Sequence, residues 1–540
     1  MKQKTKKNTA IIGLGKTGIS LIKWLLQNKA KDNLVSNQQL EKIIVYETNS
    51  KNIQKFLLQA EYDKEIKENK LVIKVQPESI AECKNELETN EVDLIYFSPG
   101  IGIKQPKANS MLEAAKNLKI KISSDIDLFF SNAPKAKYIG ITGTNGKSTT
   151  TALIGWVLGE AAPGFSGQNH SDQTSVFIGG NIGTPILDLP IYNNPETIYV
   201  IELSSYQLDL ISCLKLDVAI CLNITPDHLD QYSSMVDYTK SKQTIFLLLK
   251  NRGLAIVGKE CDYLVKKQNQ KTQNSKLEVK RKDNQVAPLE LNEYQKLDII
   301  SGKEILQNGI SIFDDKIWID GIAQYDLDIS KFEINSDINN PNPNSSNFPS
   351  TSSTKSCLVG KHNNENIAAV VATCLYFGVT KEEIVAKCKT FKGLPHRLEY
   401  ITTYFGYQVI NDSKATNVAA VKYALDIYDN IYWIAGGISK DEGIIGLQEF
   451  FPKISCAYLI GKCAKEFAEV LEEFRVKYQI CHELSTALAK IKEDINKTNC
   501  LLQENHHKNL GTILLSPACS STDQWANFEE RGKAFGEFFT

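Results

Sequence analysis

Apolar residues along the chain fall into short runs that close on glycine or a polar residue, and each run is followed by a stretch in which apolar positions recur at helical spacing. The first cycle reads TAIIGLG, then KTGISLIKWLLQ, then KIIVYE, with a further apolar strand at VDLIYFSPG. Strand, tight turn, helix and strand in that order predict a parallel α/β unit. A second cycle starts at YIGITG, runs into TNGKSTTTALIGWVL and continues through TIYVIEL and VAICLNI. A third begins near Tyr400, where YQVINDS, NIYWIAGG, CAYLIGK and TILLSPA repeat the rhythm of a mostly parallel sheet. The expected fold class is therefore α/β in three domains, 1–135, 136–395 and 396–540. Polar stretches at GFSGQNHSDQTS, KKQNQKTQNSK, INSDINNPNPNSSNFPSTSSTKS and NKTNCLLQENHHKN read as surface insertions, because they lack the apolar surface that offsets chain ordering.

Length agrees with that division, since 540 residues is several times the usual domain of about 100–150. Hydrophobic residues at 42% and charged residues at 23% are ordinary globular usage, which excludes global disorder. Sixty-two basic residues against 63 acidic ones leave a net charge of −1 and no broad positive field for nucleic acid, so an anionic ligand needs placed cations. The basic opening MKQKTKKNTA is followed only by the short run Ala10 to Leu14, too little for a signal-peptide core, and no apolar run is long enough for a transmembrane helix. Twelve cysteines are scattered without a C-x-x-C pair, which points to buried free thiols in a reducing cytoplasm.

Two glycine-rich turns carry candidate chemistry. Gly13-Leu14-Gly15-Lys16-Thr17-Gly18 is a G-x-G-x-x-G between strand and helix, and Glu47 ends the next strand, where a carboxylate could hold a ribose hydroxyl. NAD binding, a structural turn and a different nucleotide diphosphate all remain open at this point. The second turn, Thr142 to Thr149, ends in Gly146-Lys147-Ser148. Backbone amides there cradle phosphates, the lysine neutralises β/γ oxygens and the hydroxyl suits magnesium. It misses the strict phosphate-loop pattern because Ile141 stands where the first glycine belongs. Downstream, Glu202 closes an apolar strand, and the loop Asn223 to Asp230 places His228 beside Asp227 and Asp230, readable either as metal ligands or as a capped turn.

The strings TGTNGKST, GGNIG, IELSSYQL, NITPDHLDQY, YTKSK, GLPHR, NDSKATN, a glycine pair followed by Lys440, and LLSPACSSTDQ with NFEERG occur in this order. Together they resemble the Mur ligases, most closely the D-glutamate-adding branch, over nearly the whole chain outside the polar insertions. The resemblance implies Rossmann-like first and third domains and a central P-loop-type ATPase domain. It moves the first glycine turn from NAD to the UDP of a sugar nucleotide. It implies ATP-driven amide formation in the cytoplasm by a monomer, joining D-glutamate to UDP-N-acetylmuramoyl-L-alanine through an acyl phosphate, with Mg2+ as cofactor. Another ATP-dependent amide ligase of Mur or folylpolyglutamate type, and a nucleotide-binding regulator without turnover, are the alternatives.

Residue by residue, the resemblance assigns Gly143, Thr144, Asn145, Gly146, Lys147, Ser148 and Thr149 to ATP phosphates, and Ser148, Glu202 and His228 to metal. Asn181 is assigned to the neighbourhood of the reacting carboxyl. Lys242 aligns with a lysine that the family carbamylates to an oxygen ligand; a solvated helix lysine is the plain alternative, with Lys240 equally available. Asp412 and Lys414 are expected at the ATP ribose and phosphate, with Asn366 and Arg397 adding contacts from the central domain. Thr416, Lys440, Ser521 and Phe528 are expected to hold D-glutamate. Lys16, Thr17, Glu47, Thr48, Ser98, Pro99 and Gly100 are expected at the UDP end, where Glu47 replaces the family's usual aspartate and Lys16 its common apolar residue.

Overall fold

The computed structural model describes residues 7–28, 40–99, 106–159, 175–226, 231–267, 286–327, 358, 362–439, 443–501 and 510–539. The chain forms two compact units, residues 1–325 with 364–384 and residues 326–363 with 385–540.

The first unit begins with strands β1 (Lys7–Ile12), β2 (Leu40–Glu47), β3 (Leu71–Val75), β4 (Val92–Phe97) and β5 (Lys121–Ser123). They pair in parallel in the order β3-β2-β1-β4-β5. Alternate residues go to opposite faces: Ile11, Ile43 and Val45 join one apolar cluster, and Ala10, Ile12, Ile44, Tyr46, Ile95 and Phe97 the other. Both faces are thus covered, as a parallel sheet requires. The helix Lys16–Asn28 lies close against β1 because residue 18 is glycine; a Cβ there would stand 2.1 Å from the Gly13 carbonyl oxygen.

The same unit continues with β6 (Lys137–Thr142), β7 (Val176–Gly180), β8 (Ile198–Glu202), β9 (Leu216–Cys221), β10 (Leu249–Gly258), a small pair β11 (Val265–Lys267) and β12 (Leu289–Leu291), and then β13 (Lys296–Ser301), β14 (Ile310–Phe313), β15 (Lys316–Ile319) and β16 (Ile322–Asp326). Nine of these form one sheet in the order β16-β15-β14-β13-β10-β9-β6-β8-β7, with β6 well inside it. The two sheets share an apolar cluster in which Leu14, Leu21 and Ile22 join Ile186, Leu187 and Tyr138. Ser20 Oγ donates to Asp188 Oδ1 at 2.9 Å beside it. Buried Asp127 ties the turn before β9 by accepting from the amides of Ser212 (2.8 Å), Cys213 (2.9 Å) and Leu214 (3.2 Å).

The second unit carries β17 (Glu399–Tyr404), β18 (Tyr407–Asn411), β19 (Ile431–Gly436), β20 (Ile454–Ile460), β21 (Tyr478–His482) and β22 (Gly511–Leu515) in the order β17-β18-β22-β19-β20-β21. Only the β17–β18 pair is antiparallel. Ile431, Trp433 and Ala435 face one cluster and Tyr432 and Ile434 the other, so this sheet too is covered on both sides.

The α/β class is as expected. The apolar runs singled out in the sequence are strands, but β3, β5, β7, β10 to β17 and β21 were not anticipated. One polar stretch differs from its expectation as an insertion: NKTNCL belongs to the helix Leu484–Leu501. Leu484, Leu488, Ile491 and Ile495 give that helix an apolar face against the β19–β20 side of the sheet, which extends the helical run into the polar segment. The stretches 164–174, 268–276 and 334–356 lie outside the described residues. The ten cysteines whose side chains are described are free, and nine of them are buried. Among the described residues no helix is long and apolar enough to cross a membrane.

Candidate active site

The loop 143–146 leaves the carboxyl end of β6 and opens the helix Lys147–Leu158. Gly146 holds φ at 81°, and a Cβ on it would stand 2.1 Å from Asn366 Oδ1, so the turn needs glycine for conformation and for space. The loop is strapped to the segment after β9. Thr144 N donates to Asn223 O (2.9 Å), Asn145 N to Asn223 Oδ1 (2.8 Å), and Thr225 N to Thr144 Oγ1 (3.0 Å). Buried Ser148 and Thr149 form the first turn of the helix, whose amino end favours anions.

Two lysines converge on this loop. Lys147 Nζ donates to the carbonyls of Gly143 (2.8 Å) and Thr144 (2.7 Å), and Lys242 Nζ donates to the same Gly143 carbonyl at 2.8 Å. Lys242 is 2% exposed on the helix Met235–Gln243, and its ammonium lies 4.7 Å from the centre of the Tyr238 ring. Lys240, on the same helix, is exposed, so the plain reading of a solvated lysine fits Lys240 and fails for Lys242.

Glu202 ends β8, in register with Ile141 of β6 and Gly180 of β7. Its Oε1 accepts from Asn181 Nδ2 at 2.9 Å, while Oε2 is buried without a hydrogen-bond partner. An unpaired buried carboxylate oxygen is costly, and a cation would relieve the cost. Asn366 approaches the loop from the helix His362–Tyr376, its Oδ1 accepting from Thr150 Oγ1 at 3.2 Å. The structure therefore brings together Gly143, Thr144, Asn145, Gly146, Lys147, Ser148, Thr149, Asn181, Glu202, Lys242 and Asn366 at the carboxyl ends of β7, β8, β6 and β9.

At the first sheet, Lys16, Thr17, Glu47, Thr48, Ser98 and Pro99 lie at the ends of β1, β2 and β4, around the place where strand order reverses. Lys16 and Thr48 are exposed, while Ser98 and Pro99 are buried. Glu47 organises the glycine turn: its Oε2 accepts from Leu14 N (2.7 Å) and its Oε1 from Asn49 N (2.8 Å).

In the second unit, Asp412 follows β18 and is 5% exposed. Burial pushes its pKa up to about 7, against the opposing pull of the Ser516 hydroxyl, which donates to Oδ2 at 2.7 Å, and of Arg397. Arg397, expected to contact ATP together with Asn366, belongs to the second unit, within the expected bounds 396–540. The segment preceding it is tied to the NDSK loop, Lys414 N donating to His396 O (3.0 Å) and Asn411 Nδ2 pairing with His396 Nδ1 (2.9 Å). Lys414 Nζ sits 5.5 Å over the Phe528 ring, and Ser413 Oγ donates to Phe528 O at 2.8 Å. An Ala518 N to Ala415 O bond of 3.0 Å joins the loops bearing Thr416 and Ser521.

Sequence reasoning passed over Arg531, which is fully buried and knots these loops. Its Nε donates to Ser413 Oγ (3.0 Å) and its Nη2 to the carbonyls of Ser413 (2.9 Å) and Cys519 (3.2 Å), and burial lowers its pKa to about 10. Asn223 and Glu365 were also unassigned; their partners stand 78 and 142 residues away in sequence, with no local signal. Gly100, His228 and Lys440 lie outside the described residues.

The family model for the Mur ligase middle domain matches residues 141–374, which include the loop, both lysines, Glu202 and Asn366. Over 530 residues the chain is 35% identical to the UDP-N-acetylmuramoylalanine--D-glutamate ligase of Rickettsia prowazekii (strain Madrid E), covering 98% of this chain and 97% of that protein. It is 33% identical over 530 residues to the protein of the same name in Rickettsia bellii (strain RML369-C), covering 98% and 96%. Among solved structures, the UDP-N-acetylmuramate-alanine ligase MurC of Thermotoga maritima aligns with 98% of this chain and 99% of its own at 14% identity and a TM-score of 0.49. Relatives of one kind match the chain from end to end, and it belongs to the family of UDP-N-acetylmuramoylalanine--D-glutamate ligases, a branch of the Mur ligases.

Proposed function

We propose that this ligase joins D-glutamate to UDP-N-acetylmuramoyl-L-alanine with ATP, by way of an acyl phosphate. The observation that carries the reading is the convergence of Lys147 and Lys242 on Gly143 beside the unpaired Glu202 oxygen. ATP, a sugar nucleotide and a carboxylate repel one another, so a site that joins them must place cations where charge develops. A carboxylate oxygen of the muramoyl-alanine attacks the γ-phosphorus and ADP departs. The amine of D-glutamate then attacks the acyl carbon, phosphate leaves and the amine gives up a proton. In this reading the loop amides and Lys147 hold the β/γ-phosphates, and Asn181 orients the reacting carboxyl.

Glu202, with an orphaned buried oxygen, and Ser148 fit a divalent cation, and His228 with carbamylated Lys242 complete the proposed set. Bound Mg2+ would neutralise phosphate charge there. Lys16, Thr17, Glu47, Thr48, Ser98, Pro99 and Gly100 take the UDP end. Asp412, Lys414, Asn366 and Arg397 take ATP, and Thr416, Lys440, Ser521 and Phe528 take D-glutamate, whose two carboxylates call for a cation and hydroxyls. Residues 1–135, 136–395 and 396–540 serve as the three functional modules of a cytoplasmic monomer.

Phosphate release with ATP, Mg2+ and UDP-N-acetylmuramoyl-L-alanine tests the reading. Release is expected with D-glutamate and not with L-glutamate, L-alanine or diaminopimelate. Release driven by another amino acid would move the specificity, and none with any would overturn the reading.

A further inference from the structure

We propose that Glu365 is a positioning residue for the phosphate loop, acting through Asn223 and so setting how tightly nucleotide is held; the proposal rests on the ATP-dependent reading above. Glu365 lies in the first turn of the helix His362–Tyr376. Its Oε2 accepts from Asn223 Nδ2 at 3.1 Å, and the Asn223 side chain in turn accepts from Asn145 N through Oδ1 at 2.8 Å. A carboxamide is one rigid plane, so a carboxylate that fixes Nδ2 also fixes the direction of Oδ1. Besides Glu365, Nδ2 reaches the Asn145 carbonyl at 3.4 Å, a long bond that orients little. Backbone geometry completes the link, because Thr144 N donates to Asn223 O at 2.9 Å.

The next residue on the helix works on the other side of the loop. Asn366 Oδ1 accepts from Thr150 and occupies the space above Gly146. One helical turn therefore reaches Asn145, through Asn223, and abuts Gly146. Two glycines make room for it: a Cβ on Gly258 would stand 2.6 Å from Glu365 Oε1, and one on Gly302 would stand 2.5 Å from Glu365 N. An acid that merely complemented the helix amino end could remain in solvent. Glu365 is instead drawn inward, and burial pushes its pKa up to about 7 while Asn223 opposes the shift.

The test measures ATP binding by equilibrium dialysis together with the steady-state constants. Glu365→Ala is expected to weaken ATP binding about tenfold, the effect of losing one hydrogen bond to a charged group, and to raise the KM for ATP without changing the KM for D-glutamate. Glu365→Gln keeps an acceptor oxygen without the charge and is expected to recover part of the lost affinity. Asn223→Ala is expected to match Glu365→Ala, and the double variant to be no worse than Asn223→Ala alone. If Glu365→Ala does not fold, Glu365→Met, of similar volume and without an acceptor, takes its place. Unchanged ATP affinity in the folded variant, or additive losses in the double variant, would overturn the proposal. Failure of the wild-type protein to release phosphate while dialysis still shows the Glu365 effect would instead refute the ligation reading alone.

Discussion

Gly146 and Gly159 bound the same helix, both with positive φ, yet their surroundings are opposite. Gly159 has φ of 115° and nothing within 4 Å of a would-be Cβ, whereas at Gly146 the new atom would meet Asn366 Oδ1 at 2.1 Å and Leu222 Cδ1 at 3.1 Å. Alanine at either place incurs the left-handed backbone cost of about 1–2 kcal/mol. At Gly159 that is the whole cost. At Gly146, Asn366 must also withdraw, losing its bond to Thr150, which adds about 1 kcal/mol, and the misplaced loop loses affinity for phosphate besides. Urea unfolding is therefore expected to find Gly146→Ala weaker than Gly159→Ala by about 1 kcal/mol or more, with only Gly146→Ala raising the KM for ATP. The variant Gly146→Ala/Asn366→Ala removes the clashing amide, so its loss of stability should be smaller than the sum of the two single losses. Equal losses at the two glycines, or strict additivity with Asn366→Ala, would show that Asn366 does not shape the turn.

Three further outcomes are expected. Lys242→Ala should abolish phosphate release and regain part of it in bicarbonate or chloride, while Lys240→Ala should behave as wild type; an active, unrescued Lys242→Ala protein rules out carbamylation. Asp125 is 3% exposed with Oδ1 unpaired, and burial raises its pKa to about 7. Between about pH 4 and 7 the unfolded chain sheds a proton that the folded one keeps, so this group lowers stability by about 1.4 kcal/mol per pH unit as pH rises. Asp125→Asn should remove that slope and be more stable than wild type at pH 8; parallel stability curves from pH 4 to 8 would contradict the assignment. Finally, Arg531→Lys should raise the KM for both ATP and D-glutamate, because a single ammonium cannot serve Ser413, between Asp412 and Lys414, and Cys519, near Ser521, together; unchanged KM values would argue against the knot.

What the sequence disclosed and what it withheld have separate physical causes. Buried parallel strands such as TAIIG and YIGITG are apolar runs, and the loops after them carry glycines that the turns require, so the carboxyl edge of each sheet could be read locally. Edge strands such as β17 and β21 are only partly buried, and Glu399–Tyr404 and Tyr478–His482 carry too little apolar contrast to stand out. Lys242 and Lys240 looked alike in sequence because burial depends on which face of a helix meets the loop. Glu365 was hidden for a different reason: its meaning lies in a hydrogen bond to a residue 142 positions away.

The apolar cluster shared by the first two sheets bears on how this enzyme could be recombined with its relatives. Leu21 and Ile22 pack in it with Ile186 and Leu187, and Ser20 bonds to Asp188, so the seam runs through residues about 165 positions apart rather than across a linker. An exchange of residues 1–135 alone would cut one side of that seam and leave the other without its counterpart. A chimaera that keeps the two glycine-rich loops at their present separation must import 186–188 along with the amino-terminal part, and the natural cassette is discontinuous.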